Sequence, residues 1–211
     1  MTAVFERLRA AITAVCAAQA DDGGWEDFQI AGMGASGPWV TAAIGLRLAE
    51  LPPALTTAAV TAAVDRALGY LEAAEAWSYN HKAPADADTI AHALLLYAAR
   101  GRRRDQAVDD LLGFQTADGG FSTFTPRARG ASFASWTISH PDVTPVAARA
   151  LAGYVDRPGV ADALARAIAR GAVDAQDAQD AGGGPAPAFW WNLAWYTEAA
   201  WARARPALGL P

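Results

Sequence analysis

Apolar residues recur every three or four positions along most of the chain, which is the spacing of amphipathic α-helices. In one such segment a single stripe carries four apolar side chains, Val60, Val64, Leu68 and Leu71. The charged side chains of that segment, such as Asp65 and Glu72, lie off the stripe. No stretch shows the alternation that is typical of strands. The pattern therefore predicts an all-α protein.

The predicted helices are of two kinds, which alternate along the chain. Four amphipathic helices, expected to lie outside, span roughly 3–18, 55–76, 104–115 and 159–171. Four more apolar helices, expected to lie inside, span roughly 38–51, 88–100, 142–155 and 189–204. Segment 89–99 is apolar except for Thr89 and His92, and a helix that is apolar nearly all round is buried on all sides.

Residues that start and stop helices fit these bounds. Pro38 suits the first turn of a helix. Asp86 or Asp88, and also Asp142, can cap free backbone amides at a helix start. Segments rich in proline or glycine separate the helices, and 174–188 is predicted to form a long loop.

Two signals indicate an internal repeat. The loops Gln19-Ala-Asp-Asp-Gly-Gly-Trp25 and Gln115-Thr-Ala-Asp-Gly-Gly-Phe121 both have the form Gln-x-x-Asp-Gly-Gly-aromatic. Each inner helix also carries an aligned threonine near its start, and these are Thr41, Thr89, Thr144 and Thr197. The threonines recur about every 50 residues, which suits one helical hairpin with its loops.

These motifs resemble those of the terpenoid cyclases. The two loops resemble the Gln–Trp motif of squalene–hopene cyclases and related prenyltransferase-type repeat proteins, in which the glutamine ties a helix end to the next loop. Asp86-Ala-Asp88-Thr89-Ile-Ala91 resembles the Asp-x-Asp-Asp-Thr-Ala motif of class II cyclases, with Thr89 in place of the third aspartate. The resemblance implies one α/α-toroid (barrel) domain over 1–211, with about four helical hairpins in outer and inner rings.

The resemblance also implies candidate catalytic residues. Asp88 matches the aspartate that donates the proton in the family, Asp86 is its neighbour, and His140 is placed to anchor the acid. The other three inner helices carry Val40, Val143 and Tyr196 at the position of Asp88, so the fold does not require an acid there. If Asp88 faces an apolar cavity, its pKa is expected to be raised. The alternatives are helix capping for Asp88 and loop anchoring for His140.

Aromatic residues supply a candidate substrate pocket. Ring faces stabilise cations, and carbocation chemistry uses aromatic-lined cavities. The candidates lie at or near the starts of the inner helices or on the last of them, and they are Trp39, Trp77, Tyr79, Trp136, Trp190, Trp191 and Trp195. The alternative is that these rings serve only to pack the core.

Charge and composition exclude several other functions. The net charge of −5 does not suit a nucleic-acid-binding protein. With one cysteine and three scattered histidines, no zinc site is expected. The expected chemistry needs no metal or cofactor. No stretch is long and apolar enough to span a bilayer, so we expect a cytoplasmic protein whose membrane contact is at most peripheral.

Two functional hypotheses remain open from the sequence. The first is a terpene-cyclase-like enzyme, an isomerase or lyase, that cyclises or isomerises an isoprenoid-like apolar ligand by protonation. The second is a non-catalytic helical-repeat protein that binds a partner protein or a lipid-like ligand. Because the family toroid commonly has six hairpins and often a second helical domain, a homodimer or a partner protein could close the barrel. An Asp88 side chain that faces an enclosed cavity favours the enzyme, and one that caps the helix favours the binding protein.

Overall fold

A computed structural model describes residues 2–30, 32–125, 135–182, 188 and 195–210. Eight α-helices lie in these residues: α1 (Thr2–Ala17), α2 (Pro38–Ala49), α3 (Ala58–Ala73), α4 (Ala87–Ala99), α5 (Asp105–Leu112), α6 (Val143–Leu151), α7 (Val160–Asp180) and α8 (Tyr196–Leu208). Short 3-10 helices span Pro53–Leu55 and Ala152–Tyr154. The prediction of an all-α fold is confirmed.

The long loop predicted for 174–188 is partly wrong, because α7 continues to Asp180. Alanine and glutamine, which dominate this stretch, are good helix formers. Side chains four residues apart also support the extra turns. Arg170 forms an ion pair with Asp174, and the Gln176 amide donates to Asp180 at 2.7 Å.

One short β-hairpin was not predicted. Strands β1 (Asp27–Ile30) and β2 (Gly34–Ser36) pair antiparallel. The turn between them is followed by β2, whose first residue, Gly34, has a φ of 86°, a conformation that glycine adopts without strain. Strands of four and three residues are too short to leave a period of two in the sequence.

The chain forms two compact units. The first unit comprises Met1–Ala85 and Leu95–Arg103, and the second comprises Asp86–Leu94 and Arg104–Pro211. The sequence-based prediction of a single domain stays a prediction. Helix α4 has residues in both units, and the prediction that this helix is buried is confirmed. Seven residues of this helix are fully buried: Ala87, Thr89, Ala91, Ala93, Leu94, Leu96 and Tyr97.

The first unit is organised around α2 and α3, which pack against each other. Gly45 makes this packing close, because a Cβ at that position would lie 2.8 Å from the Leu96 side chain and 3.2 Å from that of Ala67. Helix α1 packs against α3. Much of its apolar stripe is nevertheless exposed, since Val4 and Leu8 are 74% and 44% accessible.

The second unit is organised around α6, which packs against both α7 and α8. All but one of the residues of α6 are buried, Arg149 being the exception. Asp142 was expected to cap this helix, but no side-chain hydrogen bond caps its start. A backbone hydrogen bond forms there instead, in which the Thr144 amide donates to the His140 carbonyl oxygen at 3.1 Å.

The two glutamine loops have the same hydrogen bonds, one loop in each unit. In the first unit the Gln19 side-chain amide donates to the carbonyl oxygens of Gly23 (2.7 Å) and Ala63 (2.9 Å). In the second, Gln115 donates to Gly119 (2.9 Å) and Ala163 (2.8 Å). Each glutamine therefore ties its own loop to the helix of the following hairpin.

The aligned threonines complete this pattern. The Trp25 amide donates to the Thr41 hydroxyl at 2.8 Å, and the Phe121 amide donates to the Thr144 hydroxyl at 3.0 Å. All four aligned threonines are fully buried. Because both ends of these two hydrogen bonds are withdrawn from water, Thr41 and Thr144 each fix the aromatic residue of a glutamine loop to the start of a helix.

Candidate functional site

The start of α4 contains two aspartates with different hydrogen-bonding roles. Asp86 immediately precedes the helix, and its Oδ1 accepts the Thr89 amide hydrogen at 2.7 Å. Its Oδ2 accepts the Thr89 hydroxyl at 2.8 Å. Asp86 is 3% exposed and Thr89 is fully buried, so Asp86 is the N-cap of α4.

Asp88 lies two residues after Asp86, in the first turn of α4, and its carboxyl group lies close to a histidine. Its Oδ1 is 3.3 Å from Nδ1 of His92, which is the residue four positions later. The backbone oxygen of Asp88 also accepts from His92 Nδ1, at 2.9 Å. A carbonyl oxygen only accepts hydrogen bonds, so His92 Nδ1 carries a proton. Asp88 is 8% exposed and His92 is 1% exposed.

His140 belongs to the same neighbourhood. Burial lowers the pKa of His140 below 6.5, while the Ser135 carbonyl and the negative charge of Asp88 act in the opposite direction. Its Nε2 donates to the Ser135 carbonyl at 2.9 Å, and its Nδ1 lies 2.9 Å from the Thr123 hydroxyl. In the neutral ring Nδ1 is therefore the acceptor. Asp88 thus has two histidines near it that carry their protons on opposite nitrogens.

Local backbone pairing brings these segments together. The Ala87 amide donates to the Thr123 carbonyl at 3.0 Å, which attaches the start of α4 to segment 121–124. The His140 amide donates to the Phe121 carbonyl at 2.9 Å. The loop that follows the second glutamine motif therefore lies between the two acidic positions and His140.

An aromatic pair borders the same segment. Phe124 and Trp136 have ring centroids 5.3 Å apart with planes inclined by 35°, and the Phe124 amide donates to the Trp136 carbonyl at 2.9 Å. Phe124 is 1% exposed, whereas Trp136 is half-buried. Among the pocket candidates from the sequence, Trp136 is therefore joined through this segment to Asp86, Asp88 and His140.

Three further pocket candidates belong to the first unit. Trp77 stacks on Tyr97, with centroids 5.5 Å apart, and its indole N–H donates to the Leu71 carbonyl at 3.0 Å. The Tyr79 hydroxyl donates to the Gly34 carbonyl at 3.0 Å. Trp39 is half-buried in the first turn of α2. The pocket role of Trp39, Trp77 and Tyr79 stays a prediction.

The remaining candidates lie at the C-terminal end of the chain. Trp190 and Trp191 lie outside the described residues. Trp195 directly precedes α8 and is 70% exposed, which differs from the enclosed position expected for it. The apolar spacing that placed Trp195 on an inner helix fails there because α8 begins only at Tyr196.

Sequence reasoning missed His92 and Thr123 as members of this neighbourhood. The signal for His92 was present, because residues four apart lie on the same face of a helix. Thr123 offered no such signal, since its contact with His140 joins two loops that are 17 residues apart.

Two grooves of about 500 and 490 Å³ lie in the first unit. One lies between α1 and α3 and includes Cys16 and Arg66, and the other lies beside the hairpin and includes Tyr70 and Asn80. Within the residues that the structure describes, no three His, Cys, Asp or Glu side chains are grouped so that they could hold a metal ion. Among the described helices, none combines the length and apolarity needed to cross a membrane.

Comparison with known proteins gives one consistent similarity. No protein-family model and no curated protein matches the sequence. Among solved structures, the type II terpene cyclase MstE from Scytonema without ligand is similar, with a TM-score of 0.72 and 28% identity over 97% of this chain and 58% of that chain. A variant of MstE with an aspartate replaced by asparagine, in complex with the substrate geranylgeranyl dihydroxybenzoate, gives a TM-score of 0.72 and 26% identity, with the same coverage.

A third structure is a variant of MstE with that aspartate replaced by alanine, in complex with the product merosterolic acid A. It gives a TM-score of 0.71 and 27% identity over 97% of this chain and 60% of that chain. The chain therefore spans about three fifths of the length of the cyclase that it resembles. The fold is that of a terpenoid-cyclase-like α-toroid protein, as the sequence motifs predicted.

Proposed function

We propose that this chain is the acid-bearing part of a type II terpene-cyclase-like enzyme, in which Asp88 protonates an alkene of an isoprenoid-like substrate. The observation that carries the proposal is that only one of the two aspartates at the start of α4 accepts the capping hydrogen bonds. Asp86 takes the capping hydrogen bonds from the Thr89 amide and hydroxyl. Asp88 is therefore not needed to cap the helix, although it is a buried acid on it.

The similarity to MstE supports the same reaction class. MstE is a type II terpene cyclase that binds geranylgeranyl dihydroxybenzoate as substrate and merosterolic acid A as product. A polyprenyl chain of this kind is the substrate class that we assign to the present chain. Because this chain spans 58% to 60% of the length of MstE, we also propose that further helical structure completes the pocket.

The reaction begins with transfer of one proton. The O–H bond of the Asp88 carboxyl breaks, and a new C–H bond forms at one alkene carbon. The π electrons of that alkene supply the new bond, which leaves a carbocation on the neighbouring carbon. Further alkenes attack the cation in turn to close rings, and the last cation loses a proton to water. Solvent then returns a proton to the Asp88 carboxylate, which restores the acid. We assign stabilisation of the positive charge to the ring face of Trp136, which packs against Phe124 beside the same segment.

Asp88 and Asp86 provide matched variants for a test. Purified protein is incubated with linear isoprenoids, both free and attached to aromatic acids, and the organic extract is analysed by mass spectrometry. We expect a cyclised product from wild type that Asp88→Asn lowers at least about a hundredfold, the scale of general acid catalysis. Asp86→Asn retains an acceptor for the cap and serves as the control. Equal turnover by wild type and Asp88→Asn would refute Asp88 as the donor.

A second candidate function rests on helix α1. Four apolar side chains of this helix are exposed in the described structure: Val4, Phe5, Leu8 and Val15. An exposed apolar stripe of this kind is typical of a surface that binds a partner protein or a lipid-like ligand. Replacing Val4 and Leu8 by glutamate is expected to abolish such binding and to leave the fold intact. A wild-type chain that is monomeric and binds no vesicle or helical partner would contradict this function.

A further inference from the structure

A histidine accompanies the acid in the α4 repeat and in no other. His92 lies four residues after Asp88 on the same face of the helix. The corresponding pairs on the other inner helices are apolar, and they are Val40 with Ile44, Val143 with Ala147, and Tyr196 with Ala200. Because three of the four units place two apolar or aromatic residues here, packing alone does not explain a buried histidine beside a buried acid.

The geometry of His92 defines which nitrogen faces the acid. Nδ1 is 2.9 Å from the backbone oxygen of Asp88 and 3.3 Å from its carboxyl Oδ1. The backbone oxygen requires a proton on Nδ1 and is the partner of its hydrogen bond, and the carboxyl Oδ1 is the second oxygen near that N–H. His92 is 1% exposed, and water therefore does not compete for this donor.

We propose that His92 is a positioning residue for Asp88: its Nδ1–H keeps Oδ1 as a hydrogen-bond acceptor, so that the transferable proton is carried on Oδ2. This inference rests on the proposed role of Asp88 as the acid. The same hydrogen bond strengthens as the carboxyl group loses its proton, because charge-assisted hydrogen bonds are stronger than neutral ones. His92 therefore both orients the acid and stabilises the carboxylate that remains after proton transfer.

Three variants separate this role from simple packing. His92→Leu fills the space with an apolar side chain and removes the donor. His92→Asn places an amide N–H near the position of Nδ1 and retains the donor. His81→Leu changes an exposed histidine of the first unit and is the matched control. Thermal unfolding of each variant establishes that the fold is intact.

The kinetic readout is the separation of kcat from KM. We expect His92→Leu to lower kcat about tenfold or more with KM unchanged, the scale of one hydrogen bond to a charged group. We expect His92→Asn to recover most of kcat and His81→Leu to equal wild type. An unchanged kcat in His92→Leu would overturn the inference, and so would an equal loss in both His92 variants, because the donor would then be irrelevant.

A second readout does not depend on turnover. Nitrogen-15 NMR of the histidine side chains reports which ring nitrogen carries the proton, and we expect the Nδ1–H form for His92. Asp88→Asn should shift the His92 Nδ1 resonance, while His81 should stay unchanged. A His92 ring protonated on Nε2 alone would overturn the inference whatever the substrate. A different result would separate the two proposals. If Asp88→Asn shifts the His92 Nδ1 resonance as expected but keeps full turnover, the proposed function is refuted while the contact between His92 and Asp88 stands.

Discussion

Replacing Asp86 by alanine should destabilise the protein much more than replacing Asp88. Asp86 caps α4 through Thr89, and loss of an N-cap costs about 1 kcal/mol. The buried Thr89 hydroxyl also loses its acceptor at 2.8 Å, and such a loss adds about 1–3 kcal/mol. The free energy of unfolding should therefore fall by about 2–4 kcal/mol in Asp86→Ala.

Asp88→Ala should cost about 1 kcal/mol or less, because His92 keeps its bond to the Asp88 backbone oxygen. The assay is urea denaturation followed by circular dichroism, which gives the midpoint and slope for each variant. Asp86→Asn is the matched control, since asparagine is as good an N-cap as aspartate and its NH2 group can donate to the Thr89 hydroxyl in place of the lost acceptor. The reasoning would be refuted by an Asp88→Ala variant that is less stable than Asp86→Ala, or by an Asp86→Asn variant as unstable as Asp86→Ala.

Three further predictions concern the second unit, each checked by denaturation. Gln115→Leu removes three hydrogen bonds, two that its amide donates and one that it accepts from Arg166, and should cost about 2–3 kcal/mol. An unchanged midpoint would contradict the role of the glutamine. Gly119→Ala should cost about 2 kcal/mol or more, because φ at Gly119 is 91° and the new Cβ would lie 2.7 Å from the Arg166 carbonyl oxygen. Gly153→Ala is the control and should cost less than about 1 kcal/mol, because no atom lies within 4 Å of its new Cβ. Burial lowers the pKa of His140 below 6.5, so the unfolded chain takes up the proton first and stability should be full above pH 6.5 and fall as pH drops below it. His140→Gln should flatten that fall, and an equal slope in wild type and variant would contradict it.

The helical fold follows from signals that are local in the sequence. The apolar stripe of α3 and the almost wholly apolar α4 each depend on one periodic segment, so the pattern alone defines them. The glutamine loops were equally clear, because glutamine, glycine and the aromatic residue recur together. The sequence did not predict what each glutamine binds. Its side-chain amide bonds to its own loop and to a helix about 45 residues away, and only the folded structure brings that helix close.

Other features depend on information that a single sequence does not contain. Asp86 and Asp88 are equally good caps by residue type, and the choice between them depends on a helix boundary that pattern fixes only to about two residues. The β-hairpin depends on a few glycine-rich residues and has no periodicity. The contact of His140 with Thr123 joins separate loops, so it is set by tertiary packing.

The most direct test of the account is product formation in deuterium oxide. A protonated carboxyl group exchanges its proton with solvent, so the proton that Asp88 transfers should be replaced by deuterium. Mass spectrometry of the cyclised product should then show one added deuterium, located at the alkene carbon that is protonated first, with none formed by Asp88→Asn. A cyclised product without deuterium would contradict protonation as the first step, and deuterated product from Asp88→Asn would contradict Asp88 as its source.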